Sequence, residues 1–144
     1  MSELCKIIDK TDYCSYNASE LLKAVGYNEA CDAYYHLEKG DDSFEVANCW
    51  DFYNSRNFYR IGAPFLWFAQ KWLRTNAKID IDVRYNYIGK YYFATICDNG
   101  DYFEQVINDD TKSISFNKYE DALDKAICLA VKHYIKIITK LRTE

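Results

Sequence analysis

The chain has 144 residues, 49% of them hydrophobic and 17% aromatic, and a net charge of −4. That much apolar surface excludes a disordered chain, and the length suits one domain with a real core. Residues 1–62 hold 6 Lys/Arg against 11 Asp/Glu and residues 63–144 hold 12 against 11. Neither part has the basic excess on which nucleic-acid binders rely for phosphate neutralisation.

In chain order, Asn17-Ala-Ser-Glu20 has the form of a reciprocal capping box. It predicts a short helix through Leu21, Leu22 and Val25, stopped by Gly26 in a left-handed conformation. Asn28–Leu37 fits two periods: Cys31, Ala33, Tyr35 and Leu37 alternate, while Ala30, Cys31, Tyr34 and Tyr35 share a helical face. The polar run Glu38–Asp42 reads as a turn. Ser43–Ile61 places Phe44, Trp50, Phe52, Tyr53, Phe58 and Tyr59 at neither period, which predicts an irregular segment pinned by buried rings.

Pro64 suits the first position of a helix over Ala63–Leu73. Projected at the helical period, Phe65, Leu66, Phe68, Ala69, Trp72 and Leu73 fall on one face, and Trp67 falls among polar residues on the other. Ile79, Ile81, Val83, Tyr85 and Tyr87 then alternate with polar residues, which predicts a half-buried strand over Lys78–Tyr87. Strands over Lys90–Cys97 and Asp101–Ile107 follow, joined by an Asn99-Gly100 hairpin signal. A final helix, Tyr119–Leu141, has a core stripe of Tyr119, Leu123, Ala126, Ile127, Ala130, Tyr134, Ile137 and Leu141. Val131, Ile135 and Cys128 widen that stripe to about half the circumference, more than one sheet needs. The expected fold is α+β: a three-stranded antiparallel meander with flanking helices in the order α-β-β-β-α. It forms a single domain, 1–144, in which residues 1–62 are a helical and irregular elaboration on a core of residues 63–144.

Little in the chain bears reactive chemistry. The six cysteines include no CxxC pair, and the five glycines stand apart and form no phosphate loop. The two histidines, His36 and His133, have no spacing that marks a base beside a nucleophile. Acidic residues of the strands and turns lack the calcium-loop pattern. The expectation is a protein without catalysis, metal or cofactor. The start of the chain lacks the form of an export signal and no apolar run reaches a membrane span, so the expected setting is cytoplasmic, away from membranes.

The apolar surplus points to binding. Trp67, Tyr91, Tyr102 and Ile135 are the candidate contact residues, since Tyr and Trp are enriched at interface centres. The partner is an unidentified protein or a second copy of the chain, as a homodimer. The alternative is nucleic-acid binding through Lys125, Lys132, Lys136, Lys140 and Arg142. Helix, meander, helix is the element order of double-stranded RNA-binding domains, although the segment that would grip phosphate, Asn117–Asp124, is net acidic here. A third reading is an enzyme whose site gathers His36, the cysteines and the carboxylates.

The block Ala63-Pro-Phe-Leu-Trp-Phe-Ala-Gln-Lys-Trp-Leu-Arg74, with Phe116-Asn-Lys-Tyr-Glu-Asp-Ala122 further on, resembles small uncharacterised proteins of phages and mobile elements of gut Bacteroidales. Their pattern looks like Ala-Pro followed by Gln-Lys-Trp-Leu-Arg, and later Tyr-Glu-Glu-Ala before a last helix. Leu21–Tyr27 and Cys31 with Tyr34-Tyr35 also look like that pattern. The resemblance implies a genomic context and assigns no activity or site residue. Tyr91–Ile135 in addition looks like antitoxins of the HicB type.

Overall fold

The computed structural model describes residues 10–56, 59–98, 101–106 and 116–143 of an α+β protein. Its chain divides into two units, Met1–Phe68 and Ala69–Glu144.

In the first unit a 3-10 turn, Lys10–Asp12, leads into helix α1, Tyr16–Ala24. The cap is Ser15, whose Oγ accepts from the Ala18 N–H at 3.2 Å, and not Asn17. Ser15 stands three residues before a donor that has no intrahelical acceptor, while Asn17 is already inside the first turn. Gly26 stops the helix at φ +94° as its position predicts. The Gly26 N–H bonds to the Lys23 carbonyl and the Tyr27 N–H to the Leu22 carbonyl, a Schellman closure that delivers Tyr27 into the core.

Three strands follow: β1 (Cys31–His36), β2 (Glu45–Asp51) and β3 (Arg60–Gly62), in the antiparallel order β2-β1-β3. A single-turn helix, α2 (Tyr53–Arg56), precedes β3. Ser43–Ile61 is therefore mostly regular, contrary to the irregular segment its composition suggests. The reason lies in the register. Glu45 and Val46 pair with Tyr34 and Ala33, and the next pair is Asp51 with Cys31. Ala47–Trp50 thus bulge out against the single residue Asp32, which destroys the alternation that would reveal a strand. The rings there are not uniformly buried either, because Tyr53 is buried whereas Trp50, Phe52 and Tyr59 are exposed.

One face of this sheet packs into a core of Tyr13, Ala33, Tyr35, Ile61, Ala63 and Phe65. The Tyr35 hydroxyl donates to the Cys14 carbonyl at 2.7 Å, so the buried ring keeps a partner for its polar end. Asn54 of α2 ties two distant backbones together. Its Nδ2 donates to the Tyr27 carbonyl at 2.7 Å, and its Oδ1 accepts from the Gly62 N–H at 2.8 Å.

Helix α3 (Leu66–Trp72) starts later than Pro64 would allow it to. Ala63 donates to the Ala33 carbonyl, the Pro64 carbonyl accepts from Cys14, and Phe65 forms an antiparallel bridge with Tyr13. Ala63–Phe65 is held extended by these bonds, and the residue before a proline already disfavours the helical region. α3 runs into a π turn, Leu73–Ala77, closed by Lys78 at φ +58°.

The second unit holds the expected meander: β4 (Ile79–Asn86), β5 (Tyr91–Asp98) and β6 (Asp101–Val106), in the antiparallel order β4-β5-β6. The Asn99-Gly100 turn lies outside the described residues. Opposite residues of antiparallel strands share a face. Ile79, Ile81, Val83 and Tyr85 thus line up with Asp98, Ile96, Ala94 and Tyr92 on one side. That side receives helix α4 (Tyr119–Thr143), whose Ala122, Leu123, Ala126, Ile127, Ala130 and Val131 are buried. The other side is salted by Asp80, Asp82 and Arg84, with an Arg84–Asp82 ion pair at 2.6 Å.

Removing the Asn54 side chain leaves two backbone groups without their partners. Asn54→Ala is expected to lower unfolding stability by about 1–3 kcal/mol in urea titration. Asn54→Asp, which keeps the acceptor for Gly62, should lose less.

Candidate interaction surface

Phe65 is buried and sits on the stacked ring of Tyr13, at 4.4 Å between centroids. Around it stand three rings that water reaches: Trp50 is 51% exposed, Trp67 47% and Phe68 41%. Trp67 stacks on Phe65 at 4.6 Å with the planes 11° apart, and Phe68 meets Phe65 edge-on at 5.7 Å. Trp50 lies 6.1 Å from Phe65 and 6.2 Å from Phe68. Two local features bring these rings together. The β2 bulge swings Trp50 out of its strand, and the delayed start of α3 sets Trp67 and Phe68 on the first helical turn after Phe65.

The patch is well suited to contact. Its rings are already fixed by mutual packing, so little side-chain entropy is lost when a partner covers them. Covering roughly 100 Å² of each half-exposed ring is worth on the order of 2 kcal/mol per ring. Contiguous exposed rings of this kind mark interaction sites more often than scattered single ones.

Of the residues named from the sequence, Trp67 lies in this patch. Tyr91 is half-buried on the outer side of the meander, 6.3 Å from the Phe93 ring, and its hydroxyl accepts from Asn86 Nδ2 at 3.1 Å. Tyr102 is paired in backbone register with Cys97, and its side chain lies outside the described residues. Ile135 is half-buried on α4, past the last buried residue. The structure therefore does not bring the four together: Tyr91 and Ile135 belong to opposite sides of one sheet. Lys132, Lys136, Lys140 and Arg142 are exposed along α4, while Lys125 is half-buried in its sheet-covered half. Trp50 and Phe68 were missed. The available signal was the dense run of rings in Phe65-Leu-Trp-Phe68 directly after the proline.

A second cluster occupies the outer side of the first sheet. Tyr34 and His36 alternate on β1 opposite Glu45 of β2 and Arg60 of β3. The Tyr34 hydroxyl donates to Glu45 Oε2 at 2.6 Å, and His36 Nε2 lies 3.2 Å from Glu45 Oε1. The Arg60 guanidinium sits 4.4 Å above the Tyr34 ring. Donation from Tyr34, then from His36, holds the Glu45 carboxyl below its ordinary value. The same bond, with burial, pushes the Tyr34 phenol up. Both shifts run away from neutrality, opposite to what general acid–base chemistry uses. Cys31 is removed from reactivity in a similar way, with burial and then Asp32 and Glu29 pushing its thiol up to about 12.

In the second unit, His133 Nε2 donates to Asp98 Oδ2 at 2.8 Å and ties α4 to the end of β5. Among the described residues no three His, Cys, Asp or Glu side chains gather where they could hold a metal ion.

The lowered Glu45 value has a definite sign. The stability it contributes is present above the ordinary glutamate range and is lost as pH falls through the folded value. Glu45→Gln should therefore be less stable than the parent at neutral pH, and the gap should close on acidification, read by urea titration at both pH values. A gap independent of pH would contradict the assignment.

No described helix is long and apolar enough to cross a membrane. Comparison with protein-family models, with curated proteins and with solved structures gives no match.

Proposed function

We propose that this is a non-catalytic binding protein of phage or mobile-element type, acting by protein contacts through the Trp50–Trp67–Phe68 patch. The observation that carries this reading is three large rings, each about half in water, locked around a buried fourth. Aromatic anchors with preset geometry, backed by a core residue, are the usual form of interface hot spots. The polar clusters support the same reading. The Tyr34–Glu45–His36 network is hydrogen-bonded within itself, and the Tyr34 and Glu45 shifts carry those two groups away from neutrality. The likeness of the Ala63–Arg74 block to proteins of phages and mobile elements supports the genomic setting. The five described cysteines are thiols, three of them buried, which fits a reducing cytoplasm.

The test compares proteins captured from a Bacteroidales lysate by the parent chain and by a Trp50→Ala/Trp67→Ala variant. A true partner is retained by the parent and lost by the variant, with each truncation weakening binding about tenfold or more. Both rings are half-exposed, so circular dichroism should show the fold unchanged. An identical capture profile for parent and variant would end this reading.

A further inference from the structure

β4 is an edge of the second sheet and has β5 on one side only. Its register with β5 runs unbroken from Ile79 to Asn86, so it is a straight edge without bulge or proline. Two bonds show which of its backbone groups face outward. The Tyr92 N–H donates to the Phe116 carbonyl at 2.8 Å, on the side of β5 away from β4. Tyr85, opposite Tyr92, therefore exchanges no ladder bond with it, and its own N–H and carbonyl point away from β5. Residues two apart point the same way, so Val83 and Ile81 do as well. The Ile81 carbonyl agrees, since it accepts from Gln70 Nε2 of α3 at 2.8 Å. Gln70, the Arg74–Asp80 ion pair and the π turn occupy the Ile79–Ile81 end of the edge. At Val83 and Tyr85 no described residue takes the outward groups.

An open edge of this kind takes an extended strand, which alone matches its spacing of donors and acceptors. The charges of β4 select which strand. Its outer side carries Asp80, Asp82 and Arg84, and its helix side Ile81, Val83 and Tyr85. Two copies of β4 can pair antiparallel about a twofold axis through one residue. An axis at Asp82 or at Arg84 sets like charges face to face, and one at Ile81 sets Asp80 against Asp82. An axis at Tyr85 gives Arg84 only Asn86. Earlier positions fall where Gln70 and the π turn stand. An axis at Val83 sets Asp82 against Arg84 of the second copy twice over, with Ile81 against Tyr85 on the helix side.

We propose that the chain self-associates through β4, two copies pairing antiparallel about Val83 to make one six-stranded sheet. The paired stretch, Ile81–Tyr85, stops where Gln70 reaches the Ile81 carbonyl. That carbonyl keeps a second lone pair for the Tyr85 N–H of the other copy. The Arg84–Asp82 pair within one strand is exchanged for two such pairs across the axis at little cost, because both side chains are more than half exposed. Five residues from each strand bury less than a standard interface, so the dimer forms reversibly and at high concentration. The edge shares no residue with the Trp50–Trp67–Phe68 patch and stands or falls separately from it.

Sedimentation equilibrium of the full chain over about 10–500 µM is expected to show a reversible monomer–dimer equilibrium. Asp82→Lys and Arg84→Asp each set like charges together at both symmetry-related contacts. Each alone should weaken association about tenfold or more. Mixing the two variants should restore it, because the mixed dimer regains two contacts of opposite charge. The double variant Asp82→Lys/Arg84→Asp should recover for the same reason. Both side chains lie largely in water, so circular dichroism should show every variant folded. The Trp50→Ala/Trp67→Ala variant should associate like the parent, which separates this result from failure of the aromatic patch. A parent chain that stays monomeric throughout overturns the proposal, as does unchanged association in either single variant. Failure of both the mixture and the double variant to recover overturns it too, and so does loss of association in the Trp50→Ala/Trp67→Ala variant.

Discussion

The pairing of Phe65 with Tyr13 sets much of the first unit. As a short antiparallel bridge it keeps Ala63–Phe65 extended and so decides where α3 begins. As a stacked pair of rings it closes the core over Ala33, Tyr35 and Ile61. The same Phe65 ring also stacks on Trp67 and packs against Phe68 and Trp50. One side chain thus belongs to the core and supports the surface patch, so the exposed rings inherit the rigidity of the interior.

The two sheets use their outer sides differently. On the first, Tyr34, His36, Glu45 and Arg60 satisfy one another by hydrogen bonds and ring contacts. On the second, Asn86 and Arg84 of β4 sit opposite the half-buried Tyr91 and Phe93 of β5, and Arg84 pairs with Asp82. Such exposed ion pairs add little stability, and their main effect is to keep the outer side in water. Among the described residues three exposed rings in contact with one another gather around Phe65, while Tyr87 and Ile88 just after β4 and Leu141 near the end of α4 are exposed elsewhere.

The second unit was legible in the sequence, and the first largely was not. Uninterrupted alternation placed β4, and a run apolar on both faces between turn signals placed β5, each to within a residue, while the long stripe of α4 placed its start at Tyr119. The stripe overstated burial, because periodicity records which side is apolar and says nothing about how far the sheet extends beneath it. In the first unit, β2 conceals its period in a four-residue bulge and β3 is three residues long, too short to show one. The exposure of Trp67 followed from helical projection. Phe68 was assigned to the buried face by the same projection, since nothing local reveals the Tyr13 bridge fifty positions upstream. Trp50 depends on register with β1, which is equally nonlocal.

The bulge in β2 also bears on solubility. β2 is an edge of its sheet, and a chain so rich in rings risks stacking through any straight edge left open. After Glu45 and Val46, however, the backbone swings away before rejoining the ladder at Asp51, so an incoming strand meets no continuous row of donors and acceptors. The opposite edge, β3, is short and is followed two residues later by Pro64, which has no N–H to offer. The irregularity that accompanies the exposed Trp50 therefore also denies the β2 edge a template for fibril growth.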